Sequence, residues 1–335
     1  MAGSRVDDVY MPGVQAVPPG PARFAVLLLW MGLFHLTVLV LALSAALLPP
    51  LYACCCCCCW LALSLVPRSE PFPRWGAALA ALVARTAEQY FPVEVVYEDQ
   101  ASLADPSSGP FVFGLEPHSV LPVSLVAFSP AGPVLRPFRG NPSLYNARGL
   151  SSSALFKVPV LRHLWTWLGL DPADRRTVRG LLGAGRSVVL VPGGVQEALV
   201  MERGAEVVYL RSRFGFPRQA LEHGAPLVPC FCFGQSAVYG WARPGPPLVP
   251  ASVVRRAARA MGFLPMLFWG RWGTPVPYPE RLTVVVGRPI PVQKTEGPTR
   301  EQVAALLDTF IRETEALFER HKAACGWPDL RLVVK

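Results

Sequence analysis

The chain has 335 residues, of which 52% are apolar and 16% charged, a balance that favours a membrane segment followed by one soluble domain. The formal net charge of +9 suits nucleic acid, an anionic bilayer surface or a phosphate-bearing substrate. The sequence has neither a zinc-finger spacing nor an aromatic RNA-binding motif, which argues against nucleic acid as a partner. Membrane lipid and a phosphorylated ligand therefore remain as the expected partners of the basic chain.

The N-terminal part of the chain predicts a membrane hairpin at 24–66. Residues 24–48 carry no charge and are long enough to cross about 30 Å of hydrocarbon as a helix. Pro49-Pro50 interrupts this stretch, and a shorter uncharged stretch follows at 51–66. Two such stretches joined by prolines indicate helices that enter and leave the bilayer on the same side.

The charges around the hairpin predict its orientation. Arg23 precedes it and Arg68 and Arg74 follow it, whereas the proline turn has no charge, so both ends are expected on the cytosolic side. We therefore expect a disordered cytosolic N-terminus at 1–23 and a cytosolic domain at 71–335.

Six consecutive cysteines, Cys54–Cys59, lie within the second apolar stretch. Consecutive cysteines do not form a spaced disulfide framework, so they are interpreted as small apolar residues of a membrane segment. S-palmitoylation of one or two of them is the alternative.

Beyond the hairpin, short apolar runs alternate with helical patterns. In chain order the pattern predicts a helix at 75–89 and strands at 93–97, 111–115, 187–191, 206–210, 227–233 and 282–286. Asp171-Pro172 has the composition of a helix N-cap and first turn. Further helices are predicted to begin at Pro217 and Thr299 and to end at Gly224 and Gly326, respectively. This alternation predicts an α/β domain with a mixed, largely buried sheet flanked by helices.

The segment at 111–119 carries the first candidate site. A buried strand ends there in a short turn that contains Glu116, His118 and Ser119. Reactive groups of α/β proteins lie at strand ends, and a neutral imidazole there can accept a hydroxyl proton, which accelerates a reaction by about 10²- to 10⁴-fold. A structural histidine in a turn is the alternative interpretation of these residues taken alone.

Two further segments have the composition of an anion-binding site. A strand leads into Gly193, Gly194 and Glu197, and the backbone N–H groups of such a turn can approach a thioester oxygen or a coenzyme A phosphate. Arg213 and Arg218 lie near the start of the next predicted helix, where positive charge favours phosphate. A basic rim near lipid headgroups is the alternative.

Together, these segments resemble the type 2 diacylglycerol acyltransferase family. The Glu-Pro-His-Ser sequence at 116–119 is the form found in plant and algal members, where animal and fungal members have His-Pro-His-Gly. Further stretches that are similar to the family lie at 152–156, 159–170 and 287–290. The resemblance covers most of 111–290, in the family's order and spacing, and the hairpin matches the family's layout.

The resemblance implies a glycerolipid acyltransferase-like fold and transfer of an acyl group from acyl-CoA to the free hydroxyl of diacylglycerol. His118 matches the family's catalytic histidine and would act as general base, without a metal, a cofactor or a covalent acyl-enzyme. Related glycerophospholipid acyltransferases have aspartate five positions after this histidine, whereas this chain has Val123. Glu116 and Glu197 are therefore the candidates for an acidic partner.

The substrate-binding residues implied by the resemblance include backbone groups that would stabilise an oxyanion. The candidates for this role are the Ser119 N–H and the glycine turns, and basic residues are the candidates for binding coenzyme A. The full set of predicted binding residues is Ser119, Gly193, Gly194, Arg213, Gly215 and Arg218. The expected partners are acyl-CoA, diacylglycerol and membrane lipid, not nucleic acid, and a homo-oligomer is left open.

The expected location is the endoplasmic reticulum membrane, with lipid droplets as a second location and with the catalytic domain and both termini cytosolic. Two alternatives to triacylglycerol synthesis remain. An acyltransferase of the same fold could use monoacylglycerol, a long-chain alcohol or a sterol as acceptor. A hairpin protein without catalytic activity could instead coat lipid droplets, although a coat protein needs neither the His118 turn nor the glycine turn.

Overall fold

The computed structural model of the protein describes residues 20–63, 65–68, 74–243, 249–250, 252–254, 256 and 266–335. Of the disordered terminus predicted at 1–23, residues 1–19 lie outside the described residues. The first residues of the predicted domain, 71–73, also lie outside them. Residues 21–23 correct that prediction: they form the first turn of a helix that begins at Pro21, a residue well suited to a helix N-terminus.

Helices and strands alternate through the domain. The helices that we name are α1 (Pro21–Leu47), α2 (Pro50–Leu63), α3 (Arg74–Tyr90), α4 (Gln100–Ala104), α5 (Pro142–Tyr145), α6 (Leu161–Trp167), α7 (Arg175–Gly183), α8 (Gly194–Ala198), α9 (Gly215–His223) and α10 (Arg300–His321). The strands are β1 (Val93–Tyr97), β2 (Val112–Glu116), β3 (Arg148–Ser151), β4 (Leu170–Pro172), β5 (Val188–Leu190), β6 (Glu206–Val208), β7 (Leu227–Phe233), β8 (Gly240–Ala242), β9 (Leu267–Trp269), β10 (Leu282–Val286) and β11 (Leu332–Val334).

Helices α1 and α2 correspond to the two predicted apolar stretches and contact each other. The chain leaves the helical conformation between them, at Leu48-Pro49. Helix α1 has a mean hydropathy of 2.5 and is long and apolar enough to cross a membrane. Helix α2 has only 14 residues, fewer than the about 20 that a full crossing requires, so the membrane hairpin stays a prediction.

Helix α1 has a buried face and an exposed apolar face. Leu27, Trp30 and Leu33 are buried in the same core as residues of the α/β domain, and α1 contacts both α3 and α6. Leu36 and Leu43 are about half exposed. One face of this helix therefore packs on the domain, whereas the other is available to lipid.

The central sheet has seven strands in the order β1-β10-β7-β2-β5-β3-β4. Neighbouring strands are parallel except for β10 and β7, which are antiparallel. Strand β2 lies between β7 and β5, and all five of its residues are buried. The predicted fold class, a mixed and largely buried sheet flanked by helices, is confirmed.

Each face of the sheet packs against its own helices. Successive side chains of a strand point to opposite faces. Accordingly, Cys230 and Cys232 of β7 join a core shared with α1 and α3, whereas Phe231 and Phe233 join a core shared with α9 and α10. The sheet is thus the middle of three layers. Helix α1 packs with α3 in the layer that covers Cys230 and Cys232.

The predicted helix start at Asp171-Pro172 is wrong. These two residues end β4, and α7 begins at Arg175 with Asp174 as its N-cap, which accepts a hydrogen bond from the Thr177 N–H at 2.9 Å. Asp171 instead forms an ion pair with Arg148 at 2.7 Å. The Asp171 carboxylate, which the local sequence pattern assigned to helix capping, therefore binds a residue that is distant in the sequence.

Two other predicted elements differ in extent or placement. Thr299 caps α10 through a reciprocal capping box with Gln302, as predicted, but the helix ends at His321 rather than near Gly326. The strand predicted at 206–210 is shorter, and as β6 it pairs with β11 in a separate two-stranded sheet. It therefore lies beside the central sheet rather than within it.

Candidate active site

Three segments singled out in the sequence meet beyond the C-terminal ends of β2 and β5. These strands are parallel neighbours, so the turns that follow them lie at the same edge of the sheet. The turn after β2 carries His118, and α8, which follows β5, carries Glu197. The segment between β6 and α9 brings Tyr209 and Arg213 to the same place. The fold thereby assembles one polar site from distant parts of the chain.

The His118 ring has a defined hydrogen bond. Its Nδ1 lies 2.9 Å from the carbonyl oxygen of Ser119. Because a carbonyl oxygen only accepts hydrogen bonds, Nδ1 is a donor in this arrangement, and in the neutral ring the lone pair is then on Nε2. The half-buried ring lines a cavity of the described residues. A neutral imidazole with an unprotonated Nε2 is the form required of a general base.

Glu197 holds the backbone of the His118 turn. Its buried carboxylate accepts hydrogen bonds from the N–H groups of His118 and Ser119 through Oε1, the latter at 3.3 Å. Oε2 accepts from the Tyr209 N–H at 3.2 Å. The hydrogen bond of the His118 ring goes to Ser119, so Glu197 acts on the turn and not on the imidazole.

Glu116 is fully buried next to Glu197. Burial raises its pKa well above the ordinary value of 4.5, and the negative charge of Glu197 raises it further. The Gly193 N–H and the positive charge of Arg213 act in the opposite direction. Burial beside a second carboxyl group therefore favours the neutral form of Glu116.

Arg213 supplies positive charge beside this carboxyl pair. Its guanidinium donates a hydrogen bond to the Gly193 carbonyl and lies 4.9 Å from the centre of the Tyr209 ring. Burial lowers the pKa of Arg213, and the neighbouring Tyr209, Glu116 and Glu197 oppose this effect. The guanidinium stays protonated, because an arginine side chain is not deprotonated near neutral pH.

The predicted glycine turn has a structural task. A Cβ at Gly193 would overlap the Glu197 carboxyl group, so only glycine lets that carboxylate reach the His118 turn. The Gly194 N–H donates to the Val191 carbonyl at 3.2 Å. With the Ser119 N–H bound to Glu197, two of the backbone donors predicted for an oxyanion are therefore engaged within the site.

The cavity beside His118 has a volume of about 1360 Å³. Ligand pockets of about 300–1,000 Å³ hold a drug-sized molecule, so this space suits two larger substrates. Of the residues predicted to bind substrate, Gly194, Arg213, Gly215 and Arg218 line it, whereas Ser119 and Gly193 do not. Ser119 instead lines a smaller cavity of about 300 Å³ together with Glu206.

The lining of this cavity is mixed in character. It includes Arg175 of α7 and Arg218 of α9 as well as apolar residues of α1 and β9. The sequence had no signal for the contribution of α1, because that helix is apolar on all sides and its cavity-lining face has no distinct pattern. Among the described residues, no group of three or more His, Cys, Asp or Glu side chains is placed to hold a metal ion.

Comparison with known proteins shows the family. A family model described as diacylglycerol acyltransferase matches residues 50–335. Diacylglycerol O-acyltransferase 2 from Bos taurus is 32% identical over 272 residues, which cover 74% of this chain and 70% of the relative. The chain belongs to the diacylglycerol acyltransferase family. It is accordingly an O-acyltransferase, as predicted, and the interpretation as a coat protein without catalytic activity is wrong.

Other similar proteins extend this comparison. This member of the diacylglycerol acyltransferase family spans 65–70% of the length of mammalian relatives named diacylglycerol O-acyltransferase 2. Another relative, 2-acylglycerol O-acyltransferase 3 from Homo sapiens, is 32% identical over 73% of this chain and 72% of its own length. The crystal structure of the 1-acyl-sn-glycerophosphate acyltransferase PlsC from Thermotoga maritima matches with a TM-score of 0.41 and 13% identity, over 78% of this chain and 86% of that chain.

Proposed function

We propose that the protein is an acyl-CoA:diacylglycerol O-acyltransferase that makes triacylglycerol in the endoplasmic reticulum membrane, with its α/β domain and both termini in the cytosol. The observation that carries this proposal is the position of His118. Its ring lines a cavity of about 1360 Å³ whose wall includes the membrane-type helix α1, and its Nδ1 is held by the Ser119 carbonyl. A base at such a place meets an acceptor that diffuses in the bilayer.

In this reaction His118 Nε2 takes the proton of the diacylglycerol hydroxyl while the hydroxyl oxygen bonds to the thioester carbonyl carbon. The tetrahedral intermediate then loses its C–S bond, and the protonated imidazole returns the proton to the leaving sulfur. Triacylglycerol and coenzyme A are the products, and the enzyme ends in its starting form. The Nδ1 contact with Ser119 keeps the ring in the required tautomer throughout.

The cavity's polarity supports two different substrates. Arg218 of α9 lines the cavity, and a guanidinium binds phosphate oxygens through several N–H donors, so we assign the coenzyme A moiety to the part beside α9. Arg175 also lines the cavity, but its guanidinium is paired with Glu222 at 3.3 Å. The apolar residues of α1 then receive the acyl chains of the acceptor.

The test is an acceptor assay with the full chain in microsomes. Labelled acyl-CoA is offered with 1,2-diacylglycerol, 2-monoacylglycerol, a long-chain alcohol or a sterol, and each ester product is quantified. We expect triacylglycerol to dominate and His118→Ala to lower its formation by at least about 10²-fold. Membrane association of the variant should be unchanged.

His223→Ala is the matched control, because His223 lies at the end of α9 and is not among the residues that line the cavity. Wild-type turnover in His118→Ala would overturn the mechanism, and a clear preference for an alcohol or a sterol would overturn the acceptor. A preference for 2-monoacylglycerol would support the second candidate. The human relative named 2-acylglycerol O-acyltransferase 3, as similar as the bovine one, favours that candidate.

A further inference from the structure

Strands β8 and β9 form a two-stranded sheet that lies beside α1. The ring of Phe268 on β9 meets the ring of His35 on α1 edge to face, with centroids 5.0 Å apart. In the turn after β9, the ring of Trp272 lies 5.2 Å from that of Phe24, at the start of the same helix. From Phe24 to His35 the helix rises about 16 Å, at 1.5 Å per residue. This part of the chain therefore follows the helix that is long and apolar enough to cross a membrane.

The two sides of β9 meet different surroundings. Phe268 lines the cavity that contains His118. Leu267 and Trp269, on either side of it in the strand, are 73% and 38% exposed. Successive side chains of a strand point to opposite faces. One side of β9 therefore belongs to the wall of the cavity, whereas the other presents large apolar side chains at the outside of the protein.

Trp272 adds to this exposed apolar surface. Its side chain is 69% exposed, and its φ of 55° lies in the left-handed region, which is unfavourable for a bulky residue. Hydrogen bonds hold the turn: the Gly270 N–H donates to the Thr274 carbonyl at 2.8 Å, and the Thr274 N–H donates to the Arg271 carbonyl at 3.1 Å. The Arg271 guanidinium also lies 4.5 Å from the centre of the Trp272 ring. The fold thus keeps an exposed indole ring in place despite a conformational cost.

We propose that Leu267, Trp269 and Trp272 form a second membrane contact, the β9 surface, which inserts into the interfacial region of the bilayer beside α1. Large exposed apolar patches mark interaction sites, and this one is continuous with a helix whose outer face is available to lipid. Tryptophan is enriched at the level of the lipid headgroups, because its ring is apolar and carries a polar N–H.

The charge and the backbone of this region favour the bilayer interface over its hydrocarbon core. Arg23 is exposed directly before Phe24, and Arg271 adjoins Trp272, so positive charge lies where lipid phosphates are found. A two-stranded sheet has open edges, and their backbone groups cannot remain without hydrogen bonds in hydrocarbon. The headgroup region supplies both water and anionic groups.

This inference goes beyond the proposed function, since it applies to any acceptor that reaches the enzyme from the bilayer. Phe268 lines the cavity, and its neighbours in β9 belong to the proposed contact, so a single strand separates the reaction cavity from lipid. A helix anchor alone tethers the domain. A second contact also fixes the orientation of the domain and keeps this wall of the cavity at the lipid surface.

The first test places the photoreactive residue p-benzoylphenylalanine at one position of the full chain at a time. The positions are Leu267, Trp272 and, as the control, Tyr145, an aromatic residue of α5 that is 59% exposed. The protein is inserted into vesicles of phosphatidylcholine and phosphatidylserine with labelled acyl chains. After illumination, the lipid label that is covalently bound to the protein is measured.

We expect several-fold more lipid label at Leu267 and Trp272 than at Tyr145. Label no higher than at Tyr145 would overturn the inference, and so would a cross-link to a second copy of the chain in place of lipid. Acyl transfer is not measured in this experiment. Its outcome is therefore separate from that of the acceptor assay, which tests the proposed function.

Tryptophan quenching by dibrominated phosphatidylcholine tests the same contact with conservative substitutions, and it decides the question if the photoreactive variants do not fold. Trp272→Phe removes an emitter that meets lipid, so the fraction of fluorescence that the lipid quenches should fall. Trp327→Phe is the matched control, because Trp327 lines the smaller cavity and packs in the core shared with α9 and α10. Its loss should raise the quenched fraction. An unchanged or higher fraction in Trp272→Phe would show that this ring does not meet the bilayer.

Discussion

The carboxylate of Glu197 accepts a hydrogen bond from the backbone N–H of His118, which lies 79 positions earlier in the sequence. With the N–H groups of Ser119 and Tyr209 also bound to it, the carboxylate joins the turn after β2 to the segment that follows β6. The orientation of the His118 ring is therefore set by the backbone around it. A carboxylate that acts in this way supports the His118 turn without a hydrogen bond to the imidazole.

The first prediction concerns this carboxylate. Glu197→Ala leaves three backbone N–H groups without their acceptor, each at a cost of about 1–3 kcal/mol when buried. We expect a lower Tm of the purified protein in detergent and the loss of most acyl transfer. Glu197→Gln, which keeps one acceptor oxygen, should lie between Glu197→Ala and wild type in both measurements.

Glu202→Gln is the matched control for Glu197. Glu202 has a half-exposed side chain that forms an ion pair with Lys335 at the surface, and exposed pairs contribute about 0–1 kcal/mol. Its removal should leave Tm and turnover near the wild-type values. Equal effects of the two substitutions would contradict the role assigned to Glu197.

The second prediction is that Glu116 acts in its neutral form. Glu116→Gln has the shape of a protonated glutamate, so we expect it to retain most of the activity at neutral pH. Because folding raises the pKa of Glu116 above 4.5, its stabilising contribution is fully present below that pH and is lost as the pH rises through the folded-state pKa. The Tm of Glu116→Gln should fall less than that of wild type toward alkaline pH. Parallel Tm profiles would contradict a neutral Glu116.

The third prediction concerns Glu206, in the smaller cavity. Burial raises its pKa to about 7, a hydrogen bond from Ser236 opposes this, and the charge of Glu197 raises it again. Stability from this group is present below about pH 4.5 and is lost as the pH rises through 7. Glu206→Gln should remove the part of the Tm decline that lies between about pH 4.5 and 7. Thermal scans from below pH 4.5 to above pH 7 measure it, and an unchanged decline would show that the pKa of Glu206 is not raised by folding.

The fourth prediction uses the backbone of Ser119, whose φ of 53° lies in the left-handed region. For a residue with a Cβ this conformation costs about 1–2 kcal/mol, whereas glycine adopts it readily. We expect Ser119→Gly to raise the Tm and Ser119→Ala, which keeps the Cβ, not to. Equal Tm values for the two variants would mean that the turn is not strained.

Much of the fold could be predicted because local patterns and tertiary contacts agree there. Strands β1, β7 and β10 coincide with the predicted 93–97, 227–233 and 282–286. Their apolar runs are bounded by residues that end a strand, such as Pro92, Gly234 and Gly287. The helix start predicted at Asp171 was wrong because the ion pair of Asp171 with Arg148 of a neighbouring strand competes with helix capping. No local sequence pattern shows that competition.

The site was predictable in its segments but not in its contacts. The turn after β2 and the glycine turn after β5 were both recognised, since each is a strand followed by small or polar residues. Which atoms of Glu197 meet which backbone groups depends on how segments 79 positions apart are oriented. The face that α1 turns toward the cavity was not visible either, because apolar residues that meet lipid and those that meet substrate have the same composition.

The fifth prediction concerns the part of the cavity beside α9. Arg218 is half-buried on α9 and lines the cavity, and we assign it to the phosphates of acyl-CoA. Arg218→Gln should raise the KM for acyl-CoA by about tenfold, the size of one hydrogen bond to a charged group, and leave the KM for diacylglycerol unchanged. Steady-state kinetics at low ionic strength measure this, because salt screens exposed charges.

Acyl-pantetheine, which carries the thioester without the phosphates of coenzyme A, separates a phosphate contact from a general loss of activity. Wild type should prefer acyl-CoA over this donor, and Arg218→Gln should prefer it much less, since the variant lacks the group that recognises the difference. Arg312→Gln, on the exposed side of α10, is the control and should keep the wild-type preference. If Arg218→Gln lowers the rates with both donors by the same factor, Arg218 supports the fold of α9 and the phosphates bind elsewhere.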